Sequence, residues 1–310
     1  MQFYQYTKVK EFNYTIKEKV DLYTKGILSF PSAFTSGDIL NDTVSVDIFQ
    51  PRGKENWPAV ILLHSLRENR NGPTEWLAKK LVKNGFGAYL LHLPYHINRA
   101  GGKNRNGSLF ITADVNHSVN AYRQSVIDIM TLCDWLEKRE EVTSIGITGL
   151  SLGAIILNTV MGIDNRIKAG VSILGGGNIH YIFTRSVVTL PLVIYGIFHG
   201  LKIRDYKKVS KDYVRYLREV RKTDDIEKVP CPWLWFLLDP LTYAHLNQPR
   251  NVLMVNARFD LIIPYRAALQ LWEALGRPEI IWLPSTHITA TFFHPTILYY
   301  TLYYLKKHLT

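Results

Sequence analysis

A serine near the middle of the chain lies between two glycines, in the stretch GITGLSLGA. Gly149, Ser151 and Gly153 fit the pattern G-x-S-x-G, and the apolar run before them and the helical pattern after them predict a strand-to-helix turn. A hydroxyl held at such a turn can act as a nucleophile, and the amide that follows it can bind the negative charge formed on the attacked group. The other interpretation is that Ser151 caps the helix that begins at Leu152.

A nucleophilic serine requires a base, and the base requires an acid that orients it. Asp260 in NARFDLIIP comes just after one apolar run, and His287 in LPSTHITA comes just after the last one. If these runs are parallel strands, their carboxyl ends meet at one edge of the sheet. The order Ser, Asp, His along the chain is also the order that accompanies G-x-S-x-G. We therefore predict Ser151 as the nucleophile, Asp260 as the acid and His287 as the base.

Two other residues compete for these roles. Asp239 in LLDPLTY is the alternative acid, although a position before proline is typical of a residue that caps a helix or turn. His294 lies seven residues after His287, and the two would share one face if this tract were helical. His287 is nearer the predicted strand end and is therefore favoured. His92 and His96, which follow another strand, are expected to be structural residues that form hydrogen bonds.

The stretch VILLHSLRENR supplies candidates for binding an oxyanion. Ser65 and Leu66 follow the apolar run that ends at His64, so their amides are expected at the same edge of the sheet as Ser151. The amide of Leu152, together with that of Ser65 or Leu66, would then stabilise a tetrahedral oxyanion. The sequence does not decide between the last two.

Strands and helices that alternate along the chain are expected to position these residues. Apolar or alternating runs predict strands at 43–51, 58–65, 86–94, 143–150, 169–176, 251–257 and 279–284. Helical spacing predicts helices at 73–85, 116–139, 152–162, 265–276 and 295–309. This alternation indicates an α/β fold with a mostly parallel central sheet flanked by helices on both faces.

One segment interrupts the alternation. Between 178 and 247 the sequence shows helical and irregular patterns without a buried strand, and such a length is uncommon for a connecting loop. We expect residues 1–177 and 248–310 to form the core, and residues 178–247 to form an inserted helical cap over the carboxyl edge of the sheet. The apolar stretches VVTLPLVIYGIFHGL and CPWLWFLLDP within it are expected to contribute to a pocket beneath the cap.

Composition limits the class of protein. The 310 residues are 47% apolar and 20% charged, which is typical of a globular protein. Cys133 and Cys231 lie in no zinc-binding pattern. Reduced thiols are the simpler interpretation, with a disulfide between them as the alternative, and no metal or organic cofactor is expected. The N-terminal residues have no signal-peptide pattern. The longest strongly apolar stretch, 186–201, is shorter than the ~20 residues that a membrane-spanning helix needs, so a cytoplasmic location is expected.

The formal net charge is +11, and residues 202–222 supply about half of it. The favoured interpretation of this basic tract is a solvated helix of the cap. Contact with anionic lipid or an acidic substrate is the alternative, because an apolar stretch comes just before the tract. No nucleic-acid partner is expected, since the basic balance alone is a weak signal. The oligomeric state stays open.

These stretches together resemble serine hydrolases of the α/β-hydrolase superfamily. The chain is most similar to the esterase branch near the dienelactone hydrolases and the prolyl-oligopeptidase-like esterases. The resemblance spans nearly the whole chain except the cap and the N-terminal forty residues. It is carried by LLHS, LHLPYHINR, SVIDIMTLCDWLEKREEVTSIGITGLSLGA, VLMVNARFDLIIP and LPSTH. Many members have glycine after the histidine of the oxyanion stretch, where this chain has Ser65.

The resemblance implies a nucleophile at Ser151, an acid at Asp260 and a base at His287. The apolar stretches of the expected cap predict a small-molecule substrate, a carboxylic ester with a short to medium acyl chain, cleaved through an acyl-enzyme. A thioesterase, a lipase or a peptidase would use the same residues. A binding protein that has kept the hydrolase fold without catalysis is the alternative from another class.

Overall fold

The computed structural model describes residues 2–101, 106–191, 193–194, 203–247 and 251–310. The described residues form one nine-stranded sheet with helices on both faces. The strands are β1 Asn13–Lys19, β2 Tyr23–Pro31, β3 Thr43–Pro51, β4 Trp57–Leu63, β5 Gly87–Leu91, β6 Val142–Leu150, β7 Ile167–Ile173, β8 Asn251–Ala257 and β9 Glu279–Leu283.

Nine α-helices lie among the described residues. They are α1 Ile39–Asp42, α2 Pro73–Lys83, α3 Val115–Leu136, α4 Leu152–Ile163, α5 Ile179–Arg185, α6 Ile203–Val220, α7 Pro240–Asn247, α8 Tyr265–Ala274 and α9 His294–Leu309. Short 3-10 helices occur at Gln2–Tyr4, Ile97–Arg99, Ile226–Lys228, Leu234–Leu238 and Thr289–Phe293.

The strand order is β1-β2-β3-β5-β4-β6-β7-β8-β9. The strands from β5 to β9 in that order are parallel, whereas β1, β2 and β3 form an antiparallel extension paired with β5 through β3. The parallel strands place their carboxyl ends at one edge, which is where the polar loops collect. The predicted fold class, an α/β fold with a mostly parallel central sheet, is confirmed.

The hairpin of β1 and β2 is absent from the sequence prediction. The side chains of β1 are almost all exposed, so its sequence, NYTIKEK, has no apolar run and no clear alternation. The strand is held by backbone pairing with β2, a contact that leaves little trace in hydrophobic periodicity. The central strands β4 and β5 are buried at every position, as unbroken apolar runs predict.

The predicted insertion between β7 and β8 is helical in its described part, with no strand there. Its later residues join the core: α7 packs against α4, and a Cβ atom on Gly162 would come within 2.5 Å of Tyr243 Cβ. Its earlier residues, around α5, instead lie near Ser151 at the carboxyl edge of the sheet. Residues 192 and 195–202, which fall in the apolar and basic stretches assigned to the cap, lie outside the described residues.

None of the described helices is both long and apolar enough to cross a membrane.

Candidate active site

Ser151 occupies a sharp turn between β6 and α4. Its backbone has φ +55° and ψ −109°, a region that residues other than glycine rarely adopt. A Cβ atom on Gly149 would clash with the Gly153 carbonyl oxygen, and one on Gly153 would clash with the Leu63 carbonyl oxygen. The flanking glycines are therefore required by close packing of the turn. The Ser151 side chain makes no capping hydrogen bond to α4, so its hydroxyl is available for another contact.

Three side chains form one chain of hydrogen bonds at this turn. His287 Nε2 lies 2.9 Å from Ser151 Oγ, and His287 Nδ1 lies 2.7 Å from Asp260 Oδ2. Because the carboxylate can only accept, Nδ1 carries the proton, and Nε2 is left to accept from the serine hydroxyl. The other Asp260 oxygen accepts from the amides of Ile262 and Ile263, each at 2.8 Å. These amides fix the carboxylate, which in turn fixes the imidazole.

The sheet explains why these residues meet. Ser151 follows β6, Asp260 follows β8 and His287 follows β9, and the three strands end at the same edge. Asp260 and Ser151 are 5% and 8% exposed, so the contacts are shielded from bulk water. The structure therefore brings together the three residues that the sequence predicts as nucleophile, acid and base.

The competing residues lie elsewhere. Asp239 is buried and accepts hydrogen bonds from three backbone amides at the starts of α5 and α7, those of Asn178, Ile179 and Leu241. Burial raises the pKa of this carboxyl group. His294 is the first residue of α9 and stacks on Trp76, with ring centroids 5.1 Å apart. Neither residue contacts the Ser151 hydroxyl.

Two buried histidines support the loop after β4. His64 Nε2 accepts from the Leu93 amide at 3.0 Å, and His96 Nε2 accepts from the Arg67 amide at 3.1 Å. Burial lowers the pKa of His64 well below its usual range and lowers the pKa of His96 to about 4. Both rings are therefore neutral at pH 7, which leaves each Nε2 free to accept. His92 pairs with the Asp47 carboxylate, 3.2 Å away, and is likewise buried.

The two candidate oxyanion amides in the loop after β4 differ in their hydrogen bonds. Ser65 N donates to Glu68 Oε2 at 3.0 Å, and Ser65 Oγ donates to the same oxygen at 2.9 Å. The Ser65 amide is therefore already engaged. Leu66 N has no acceptor among the described residues, and Leu152 N belongs to the first turn of α4, where amides lack intrahelical partners. Leu66 and Leu152 both line the cavity that contains Ser151.

Glu68 is a residue whose role the sequence analysis missed. Besides Ser65, its carboxylate accepts from Thr74 N at 2.8 Å and Thr74 Oγ1 at 3.0 Å, and so it joins the two ends of the loop that leads into α2. The signal was present, because Ser65 and Glu68 have the S-x-x-E spacing of a capping box. It was hidden because the serine lies in a loop rather than directly before a helical pattern.

A cavity of about 490 Å³ opens beside Ser151 and His287. Most of its wall is apolar, and Arg67 is the one lining residue with a permanent charge among the described residues. The insertion contributes Ile182, Ser186, Val188 and Thr189, and the core contributes Trp76, Ile111, Ile155, Ile262 and Ile297, among others. The cavity is of a size that holds a small organic molecule. No group of three or more His, Cys, Asp or Glu within the described ranges could hold a metal ion.

This sheet, with a serine at the sharp turn after β6, defines the α/β-hydrolase fold. No protein-family profile matches the chain. Among curated proteins it is similar to an uncharacterized protein of Mycobacterium tuberculosis, found in two strains, with 28% identity over 196 residues. The match covers 63% of this chain and 40% of that protein, so the chain spans well under half of its relative.

Three of the similar solved structures match this chain over most of its length. A cold-adapted esterase from an Arctic intertidal metagenomic library is 16% identical with a TM-score of 0.56, and the match covers 96% of this chain and 98% of that one. Acetyl xylan esterase 1 from Thermoanaerobacterium sp. JW/SL YS485 is 16% identical with a TM-score of 0.59, covering 96% and 89%. Pyrococcus horikoshii acylaminoacyl peptidase is 14% identical with a TM-score of 0.61, covering 94% and 42%. At these identities the likeness shows the fold.

Proposed function

We propose that this protein is a serine hydrolase that cleaves carboxylic esters through an acyl-enzyme. The observation that carries the proposal is the chain of hydrogen bonds from Ser151 through His287 to Asp260, at the wall of an apolar cavity. Two of the similar structures are described as esterases, which supports the same reaction class.

The proposed reaction has two stages. His287 Nε2 takes the Ser151 proton as Oγ attacks the ester carbonyl carbon, and the amides of Leu152 and Leu66 donate to the oxyanion. The tetrahedral intermediate collapses, the C–O bond to the alcohol breaks, and His287 passes its proton to the leaving alkoxide. Water then attacks the acyl-enzyme with His287 again as base, which releases the acid and restores Ser151. Asp260 holds the imidazolium throughout.

The cavity wall supports an ester substrate with an apolar acyl group of short to medium length. A mostly apolar wall favours a hydrocarbon chain, and the limited volume of the cavity sets an upper bound on the length of that chain. A panel of p-nitrophenyl esters of graded acyl length, with acyl thioesters and peptide anilides alongside, tests this. Highest kcat/KM on a short or medium ester supports the proposal, and a preference for peptide anilides contradicts it.

Replacing Ser151 by alanine tests the reaction class. We expect Ser151→Ala to lower kcat by on the order of 10⁴-fold or more, because the triad acts as a unit. The same variant should no longer be labelled covalently by a fluorophosphonate probe. Ser144→Ala is the matched control, since this serine lies at the opposite end of β6 and hydrogen-bonds the Leu309 carbonyl. Turnover by Ser151→Ala within about tenfold of wild type would contradict the proposal. A folded wild-type protein that resists the probe would instead favour a binding protein.

A further inference from the structure

Exposed apolar side chains lie in three segments that border the cavity. The segments are 187–190, 259–261 and 288–292, which follow α5, β8 and β9. Ile288 and Phe292 are 73% and 82% exposed, so these large side chains contribute little to the core. The rim, as we call this set, is formed by Val187, Val188, Leu190, Phe259, Leu261, Ile288 and Phe292.

The three segments are continuous with one another and with the site. Val187 N donates to the Leu261 carbonyl oxygen at 3.2 Å, which joins the first two segments. Val188 and Thr291 line the same cavity as Ser151, so the third segment borders it as well. Single exposed apolar side chains are common on protein surfaces, whereas a contiguous group around a cavity marks an interaction site.

The charges beside the rim are almost all positive. Arg67, Arg185, Arg258 and Arg266 are exposed, and none of them forms an ion pair within the described part of the chain. Asp260 is the one acid in the segments 179–191, 258–266 and 286–294, and it is buried against His287. Glu68, next to Arg67, is half-buried and is bound by Ser65 and Thr74. An apolar surface bordered by arginines is complementary to the surface of an anionic membrane, where apolar acyl chains lie beneath negatively charged headgroups.

The basic helix α6 fits such a surface less well. Within residues 207–220 its large apolar side chains are mostly buried against the protein, and Val214 is the one that is exposed. The buried ones are Val209, Tyr213, Tyr216, Leu217 and Val220. Lys207, Lys208 and Lys211 are exposed, so residues 207–220 of α6 offer charge without an apolar surface that could insert.

We propose that the rim docks on the surface of a membrane that contains anionic lipid. The rim side chains lie in the interfacial region and the four arginines lie near lipid phosphates, so the cavity opens toward the acyl chains. The substrate class is then an amphiphilic ester that enters from the lipid phase. This last step rests on the proposed function, whereas the docking itself does not.

Vesicle flotation with the full chain tests the docking. The vesicles are phosphatidylcholine alone, or phosphatidylcholine mixed with phosphatidylglycerol, at low and high salt. The rim variant is Leu190→Ser with Phe292→Ser. The matched control is Leu22→Ser with Tyr303→Ser, which removes two exposed apolar side chains away from the cavity. A third variant reverses the charges of Lys207, Lys208 and Lys211 to glutamate.

We expect wild type to float with the anionic vesicles. The rim variant should bind about tenfold or more weakly, because it loses most of two apolar side chains that the lipid would bury. The control and the lysine variant should bind within about twofold of wild type, and added salt should weaken binding in every case by screening the arginines. The rim variant should still hydrolyse soluble p-nitrophenyl butyrate at the wild-type rate.

Three results would overturn the docking proposal. They are no flotation of wild type at low salt, loss of flotation in the lysine variant but not in the rim variant, and a lipid-free wild-type dimer that the rim variant converts to a monomer. The last would assign the rim to a second copy of the chain. Ser151→Ala separates the two proposals, because it should float like wild type while being inactive. A wild-type protein that floats but hydrolyses nothing would refute the proposed function alone.

Discussion

Each of the three candidate catalytic side chains is distinguished from the other residues of the site by its backbone conformation or by its hydrogen bonds. Ser151 has a strained backbone and no capping bond, His287 bridges it to a carboxylate, and Asp260 is fixed by two amides. Chemical type alone would not select them, since His294 also lines the cavity. Hydrogen-bond geometry makes the selection, because proton transfer requires contact at about 3 Å.

The two histidines of the cavity provide a matched test at this scale. We expect His287→Ala to lower kcat on the order of 10⁴-fold or more, because Ser151 loses its base. His294→Ala should alter KM and change kcat by less than about tenfold, since it removes only a ring stacked on Trp76. Steady-state kinetics on one ester, with circular dichroism to check folding, measures both. The assignment of the base is wrong if His294→Ala is the inactive variant.

At the scale of elements, the loop from β4 to α2 is the part of the site most dependent on a single side chain. Glu68 accepts hydrogen bonds from both Ser65 and Thr74. The Leu66 amide is the proposed oxyanion donor. The amides on either side of it are held in place, that of Ser65 by Glu68 and that of Arg67 by His96. A donor contributes only if it is aimed at the oxyanion before the reaction begins. Glu68 is therefore a positioning residue.

Glu68→Gln tests this role. The amide group offers one acceptor where the carboxylate offers two, so part of the loop loses its partner. We expect kcat to fall about tenfold with KM little changed, because the oxyanion forms only in the transition state. Glu75→Gln is the control: its carboxylate binds the Asn71 amide and two lysines but not Ser65, so stability should fall while kcat stays. Equal kcat losses in the two variants would show that Glu68 acts only through the stability of the loop and not by positioning the oxyanion donor.

The sequence predicts elements and residues unequally well, for physical reasons. The parallel strands and their terminal residues, Ser151, Asp260 and His287, follow from apolar runs and from the edge at which parallel strands end. The choice between Ser65 and Leu66 depends on a side-chain hydrogen bond inside a loop, which has no period. The strand β1 escapes detection because water covers most of its side chains.

At the scale of the whole molecule, acid should weaken the fold through its buried histidines. His96 is fully buried and neutral, and its burial lowers the pKa to about 4 against about 6.5 in an unfolded chain. Between these two values the unfolded chain binds a proton that the folded chain refuses, so unfolding free energy falls as pH falls. His64 acts in the same direction.

Urea unfolding between pH 7.5 and pH 4.5 measures this effect. From His96 alone we expect a loss on the order of 3 kcal/mol, complete near its folded pKa. The paired carboxyl of Glu75, with its pKa lowered to about 2, should add a further loss only below its unfolded pKa of about 4.5. His96→Asn should flatten the slope above pH 4.5, and imidazole NMR shifts offer a check if this variant unfolds. A flat profile across this range would contradict the buried neutral state.

The segment 179–191 supplies Ile182, Ser186, Val188 and Thr189 to the cavity, while the reacting groups come from other parts of the chain. This short stretch is therefore one side of the cavity wall that holds none of the candidate catalytic residues, whereas the core supplies the rest of the wall. After a gene duplication, changes confined to this stretch would reshape that side of the cavity and leave the proposed triad in place. Paralogues of this architecture are then expected to keep the triad and to differ in the acyl groups that they accept, with part of their divergence between β7 and β8.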